Sequence, residues 1–127
     1  MSEKTEEKTD QTPEEQKVTT LTGLVVITCI VQRGRADEVT KAASAAGASG
    51  ATIYFARGTG IREKLGLLGI AIQAEKEVIS ICVPEGNARP IFEAMVKAGK
   101  LNTPGMGFIY QTKVDKAVTY IPDDVSK

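Results

Sequence analysis

The sequence predicts an α+β fold in which a four-stranded antiparallel sheet carries both helices on one face. Two continuous β-branched runs, at 24–31 and 78–83, are typical of buried central strands. Two segments of helical composition, at 35–46 and 87–98, each precede a glycine. Shorter strand-like segments complete the order β-α-β-β-α-β, which right-handed crossovers fold into one sheet.

The first half of the domain reads strand, helix, strand. After the first run, the segment 35–46 is rich in alanine and therefore strongly helical. Asp37 and Glu38 favour the positive end of its dipole, and Gly47 supplies its stop. The segment 51–56 then predicts the second strand.

The second half repeats this pattern. In the second helix, Asn87 is the candidate N-cap, Pro90 fits only the first turn, and Gly99 is the expected stop. A turn leads to the fourth strand at 108–112, with 118–121 as a short closing extension. The resulting architecture is ferredoxin-like.

Composition allows one domain. The 127 residues are 42% hydrophobic and 25% charged, with 16 basic and 16 acidic residues. Residues 1–20 are predicted to be a disordered polar tail, 21–122 the folded domain and 123–127 a C-terminal tail. The first 17 residues hold six acids against three lysines, which leaves the rest at +3. That is too weak for a nucleic-acid interface, and no apolar run is long enough for a membrane helix, so a cytoplasmic protein is expected.

The sequence gives little support for catalysis or metal binding by side chains. The chain has no histidine, and Cys29 and Cys82 lie in apolar runs, where we expect buried reduced thiols rather than a metal site. No paired carboxylates or nucleophile with its base are recognisable, so we expect no enzyme. The third strand lacks the stacking aromatics of an RNA-recognition module. Because the first and third strands are apolar on both faces, we expect another copy of the chain to cover the open face.

The segment 57–69 concentrates glycines and basic residues between two strands. Arg57, Arg62 and Lys64 can meet phosphate or carboxylate, although the spacing fits neither a Walker A motif nor a dinucleotide fingerprint. A long hairpin loop with glycines for bending is the alternative. A second glycine cluster at 103–107 predicts a turn and, together with the first, favours an anion-binding site.

These features, with G47-A-S-G50, R57-G-T-G60, V78-I-S-I-C-V-P84 and T103-P-G-M-G-F-I-Y110, resemble the P-II nitrogen-regulatory signal proteins over residues 22–121. The resemblance implies a homotrimer with inward-facing sheets and an adenine nucleotide (AMP, ADP or ATP) in the clefts between subunits. It also implies a reporter loop (the T-loop) within 58–76 that signals to a target protein, and a B-loop at 101–107. Many family members act on membrane transporters, so recruitment to a membrane by such a partner is expected.

The chain departs from the family pattern at three places. The B-loop G-D-G-K becomes P-G-M-G, which leaves Gly107 or Phe108 where a lysine is expected. An uncharged 118–121 stands where the family has two arginines. The reporter loop has no tyrosine, so control by uridylylation is not expected. The loss of the lysine and the loss of the two arginines both weaken triphosphate binding and favour a monophosphate, a diphosphate or another ligand.

By resemblance, Arg57 and Arg62 replace the missing cations, and Ser80 and Cys82 lie near the adenine. The full set of expected nucleotide-binding residues is Thr52, Arg57, Gly58, Thr59, Gly60, Arg62, Ser80, Cys82, Gly105, Met106, Gly107 and Phe108. The expected partner-signalling residues are Arg62, Glu63, Lys64, Leu65, Leu67 and Leu68. Two other functions remain open: an oligomeric scaffold that has lost its ligand, and an amino-acid-sensing module of the ACT type.

Overall fold

A computed structural model describes residues 8–9, 18–58 and 74–122. Seven strands and two α-helices lie within these ranges. In chain order they are β1 Lys8–Thr9, β2 Thr19–Leu21, β3 Leu24–Gln32, α1 Ala36–Ala45, β4 Thr52–Gly58, β5 Ala74–Pro84, α2 Ala88–Gly99, β6 Gly107–Val114 and β7 Ala117–Thr119.

The main sheet has the strand order β4-β5-β3-β6, and every neighbouring pair is antiparallel. The predicted fold is therefore confirmed, with β3, β4, β5 and β6 as its four strands. The segment 118–121, which the sequence predicts to extend the fourth strand, instead contributes to a second sheet. β7 pairs with β2 in a separate small sheet, β1-β2-β7, because the chain turns between Val114 and Ala117. β1 lies within the segment 1–20, which the sequence predicts to be a tail, and β2 overlaps its end.

The core lies between the sheet and the helices. Alternate side chains of β3 from Val25 to Val31 and of β5 from Ile79 to Val83 face the helices and are fully or almost fully buried, which is the expected pattern for one covered sheet face. Val39 of α1 and Ile91 and Met95 of α2 complete this layer with no exposed surface. Because the helices cover this face, the opposite face of the sheet is the open one.

The helix ends follow the sequence only in part. Gly47 has φ of +119° and ends α1 as expected. α2 runs one residue further than predicted: Gly99 is its last residue, and Lys100 takes the left-handed conformation with φ of 54°. A Cβ on Gly99 would lie 3.2 Å from the Leu101 side chain, so close packing rather than a stop explains this glycine. Asn87 precedes α2, but its side chain makes no capping hydrogen bond.

Candidate functional site

Side chains on the open face of the sheet form rows that cross all four strands. In one row Thr52, Ser80, Thr28 and Tyr110 are direct cross-strand partners and therefore share a face. The neighbouring row is apolar and consists of Tyr54, Val78, Ile30 and Phe108. The open face thus offers a line of four hydroxyl groups beside a line of mostly apolar side chains.

Two of the predicted nucleotide-binding residues are neighbours in the first row. Thr52 of β4 pairs with Ser80 of β5, and Cys82 follows on the same face. The prediction that both cysteines are buried is wrong for Cys82, which is exposed because no second layer covers the open face of this chain. Cys29 is buried as expected, and burial raises the pKa of its thiol to about 11.

The turn before β6 is built on two glycines with positive φ. Gly105 has φ of +80°, and its carbonyl accepts a 2.9 Å hydrogen bond from Nε2 of Gln32. Gly107 has φ of +156°, and a Cβ there would lie 2.3 Å from the Ile30 carbonyl oxygen. Gly107 is therefore required by the packing of β6 on β3, whether or not a ligand binds there.

Phe108 follows this turn on the open face and is 63% exposed. Its ring lies 5.7 Å from the ring of Tyr110, measured between centroids, in a tilted arrangement. At this position the resemblance leads us to expect a lysine. The structure instead places an aromatic surface beside the glycine turn.

The two halves of the predicted nucleotide site lie at opposite edges of the sheet. Thr52 belongs to the edge strand β4, whereas Gly107 and Phe108 belong to the other edge strand, β6. Three strand spacings separate these edges, about 14 Å at the usual spacing of about 4.8 Å. A ligand on one chain would have to span this distance to contact both halves.

Arg57 lies on the other, helix-bearing face. It pairs directly with Glu75, which also forms an ion pair with Arg33. The structure therefore does not bring Arg57 together with Thr52 and Ser80. Thr59, Gly60 and all of the expected partner-signalling residues (Arg62, Glu63, Lys64, Leu65, Leu67 and Leu68) lie outside the described residues.

The described ends of the segment that joins β4 to β5 are well anchored. Gly58 pairs with Ala74, so the chain leaves and re-enters the sheet at one point. Three residues after Ala74, a carboxylate fixes the returning strand: Glu77 accepts hydrogen bonds from the backbone N–H groups of Ala36 at 2.8 Å and Gly34 at 3.0 Å. This contact joins the loop root to the positive end of α1.

Sequence reasoning assigned no role to Arg33, Gln32 or the two glutamates of β5. The available signal was the alternation Glu75-Lys-Glu77 at the start of a strand, which places both carboxylates on one face. Which charges they meet depends on the register between β5, β3 and β4, and composition alone does not fix that register.

Neither a metal site nor a membrane-spanning helix is found in the described part of the chain. Residues 18–58 and 74–122 contain no group of three or more potential metal ligands. The helices within the same ranges are too short or too polar to cross a membrane.

Comparison with known proteins agrees with this geometry. No curated protein sequence matches the chain. The crystal structure of Arabidopsis thaliana PII bound to citrate superposes with a TM-score of 0.60 at 19% identity, covering 74% of this chain and 79% of that one. That likeness supports the fold. The sequence model of the family described as nitrogen regulatory protein P-II matches residues 24–123, most of the chain, and this chain therefore belongs to the P-II family.

Proposed function

We propose that this P-II family regulator assembles as a homotrimer, binds an adenine nucleotide between subunits and signals its occupancy to a target protein through the segment 58–76. One observation carries the proposal: the two predicted halves of the nucleotide site lie on opposite edges of one sheet. In a ring of copies, the β4 edge of one subunit can meet the β6 edge of the next.

The open face supports assembly. Tyr54, Tyr110 and Phe108 are 50%, 41% and 63% exposed on it, and nothing within the described chain covers them. Sheets packed inward would bury these rings with the apolar row beside them. Sedimentation equilibrium at micromolar concentration should give a trimer, and Tyr110→Lys should give a monomer because it buries a charge. Ser44→Lys adds the same charge on the exposed side of α1 and should leave the trimer intact. A monomeric wild type would refute the assembly.

The site chemistry favours a nucleotide with few phosphates. Thr52 and Ser80 offer hydroxyl groups to a base, and Phe108 offers a stacking surface. The turn offers the backbone N–H of Gly105 to an anion, whereas the N–H of Met106 donates to the Thr103 carbonyl within the turn. A lysine at the turn and arginines at 118–121 are missing, so AMP or ADP should bind more tightly than ATP.

Titration calorimetry against AMP, ADP, ATP and cyclic dinucleotides tests this directly. Thr52→Val and Phe108→Ala alter opposite edges, and each should weaken AMP binding by about tenfold if both edges meet one ligand. Arg89→Gln, on the exposed side of α2, is the matched control and should bind as wild type does. Unchanged affinity in Arg62→Ala would remove that arginine from the phosphate site.

The loop is the proposed reporter because both of its roots adjoin the site edge of β4. Binding that favours one state of the loop through different contacts would change its affinity for a target, for which a membrane transporter is our candidate. Hydrogen exchange of residues 59–73 should slow when AMP is added to the trimer. If exchange is identical with and without saturating AMP, nucleotide binding does not change the loop, and the proposed signalling is wrong.

A scaffold without a ligand is the second candidate. Phe108 at the expected lysine position and the uncharged segment 118–121 favour it. A stable trimer that binds no nucleotide in the calorimetric panel would establish this function. An ACT-type module would instead respond to free amino acids, which the same titration can include.

A further inference from the structure

A cavity lies on the helix-bearing face of the sheet. It has a volume of about 460 Å³ and is lined by Arg33, Phe55, Ala56, Arg57 and Glu75. This volume is within the range of small-molecule sites. The cavity begins where β3 ends, β4 ends and β5 starts, so it adjoins both roots of the reporter loop.

Phe55 makes this cavity unusual. Its side chain points to the helix-bearing face, because Phe55 pairs with Glu77 and the neighbouring pair Ile53 and Ile79 leads into the core. The ring is nevertheless 72% exposed, the most exposed of the large hydrophobic side chains in the described residues. A planar apolar wall thus stands open beside two guanidinium groups.

The charges of the cavity do not balance. Two guanidinium groups and one carboxylate line it: Glu75 forms an ion pair with Arg33, in which both side chains are more than half exposed, and Glu75 is the cross-strand neighbour of Arg57. Glu77, the nearest further carboxylate on this face, is occupied by the two N–H groups at the start of α1. One positive charge therefore remains for a ligand, and the exposed ion pair is weak enough to be displaced.

We propose that this cavity binds a small organic anion whose carboxylate or phosphate meets Arg33 and Arg57 while a planar apolar group lies against Phe55. Guanidinium groups suit this task because they bind such anions in a bidentate manner. The site is distinct from the proposed nucleotide cleft, since Arg57 and Thr52 project from opposite faces of β4.

Occupation of this site has a structural consequence. The anion competes with Glu75 for Arg33, and Glu75 is the second residue after the loop re-enters the sheet. Its release frees one side-chain contact at the start of β5, while the contact of Glu77 with α1 remains. Ligand binding here therefore loosens the returning root of the reporter loop.

Phenyl phosphate is a suitable probe because it combines the two required groups, with inorganic phosphate as its truncated form. Calorimetry with the full chain should show saturable binding of phenyl phosphate in the presence of saturating AMP, which occupies any nucleotide cleft. Arg33→Gln and Arg57→Gln should each weaken it by about tenfold, and Glu75→Gln should strengthen it by about threefold. Phe55→Ala should remove the preference for phenyl phosphate over inorganic phosphate.

Arg89→Gln removes an arginine that is also exposed and ion-paired, with Glu93, and serves as the control. It should bind phenyl phosphate as wild type does, and circular dichroism should show all variants folded. Absence of saturable binding, or equal weakening in Arg57→Gln and Arg89→Gln, would overturn the proposal. If Arg57→Gln loses AMP binding but still binds phenyl phosphate as wild type does, the proposal is wrong and Arg57 belongs to the nucleotide site.

Discussion

Replacing Gly107 by alanine tests how tightly the turn before β6 is built. The added Cβ would lie 2.3 Å from the Ile30 carbonyl oxygen and 3.0 Å from Cδ2 of Leu101. The first contact is about 1 Å too short, and it involves the backbone of the central strand β3, which cannot move aside as a flexible side chain can. A positive φ adds strain of about 1–3 kcal/mol, and overpacking adds about as much. We expect a loss of about 2–6 kcal/mol in the free energy of unfolding.

Urea denaturation followed by circular dichroism measures this loss, with wild type and variant at one protomer concentration because assembly contributes to stability. Gly86→Ala is the matched control. No atom lies within 4 Å of its added Cβ and its φ is ordinary, so its free energy should change by less than about 1 kcal/mol. If Gly107→Ala stays within about 0.5 kcal/mol of wild type, the reasoning is wrong, and this glycine serves the ligand rather than the packing.

Three further outcomes follow from side chains described above. Glu77→Gln should lower the free energy of unfolding by about 1–2 kcal/mol by weakening its bonds to the start of α1, whereas the exposed Glu93→Gln should change it by less than about 0.5 kcal/mol in the same urea experiment. Burial raises the folded-state pKa of Cys29 from 9.0 to about 11, so its stabilising effect is complete below pH 9 and is lost as the pH rises to 11. Between pH 8 and 10.5 that loss is about 2 kcal/mol, and the unfolding free energy of Cys29→Ala should lack it; an equal alkaline loss in both proteins would contradict the assignment. Cys82 should react with a thiol reagent several times faster in the monomeric Tyr110→Lys variant than in the trimer, and equal rates would place Cys82 outside the interface.

Hydrophobic pattern and turn chemistry were enough to predict the fold. The β-branched runs became β3 and β5, and Gly47 ended α1 as its position indicated. Gly99 was misread because a glycine required for close helix packing and a glycine that ends a helix look alike in sequence. Cys82 was misplaced because an apolar strand can face either a core or a partner chain.

The candidate site was less predictable. The resemblance named Thr52, Ser80 and Arg57 together, yet a strand alternates its side chains, so the odd separation of Thr52 and Arg57 puts them on opposite faces. The cavity beside Phe55 depends on strand register and on how far the helices extend over β4. Neither is fixed by local sequence.

The strand order β4-β5-β3-β6 bears on inheritance as well as on binding. If each site is formed by one edge from each of two chains, no single chain contains a complete site. A defect in either edge then impairs a site that is shared with a neighbouring chain. Mixed assemblies of one chain damaged at Thr52 and another damaged at Phe108 would then regain intact sites wherever two sound edges meet. A chain damaged at both edges would spoil both sites that it helps to form and would act dominantly over normal copies in the same cell.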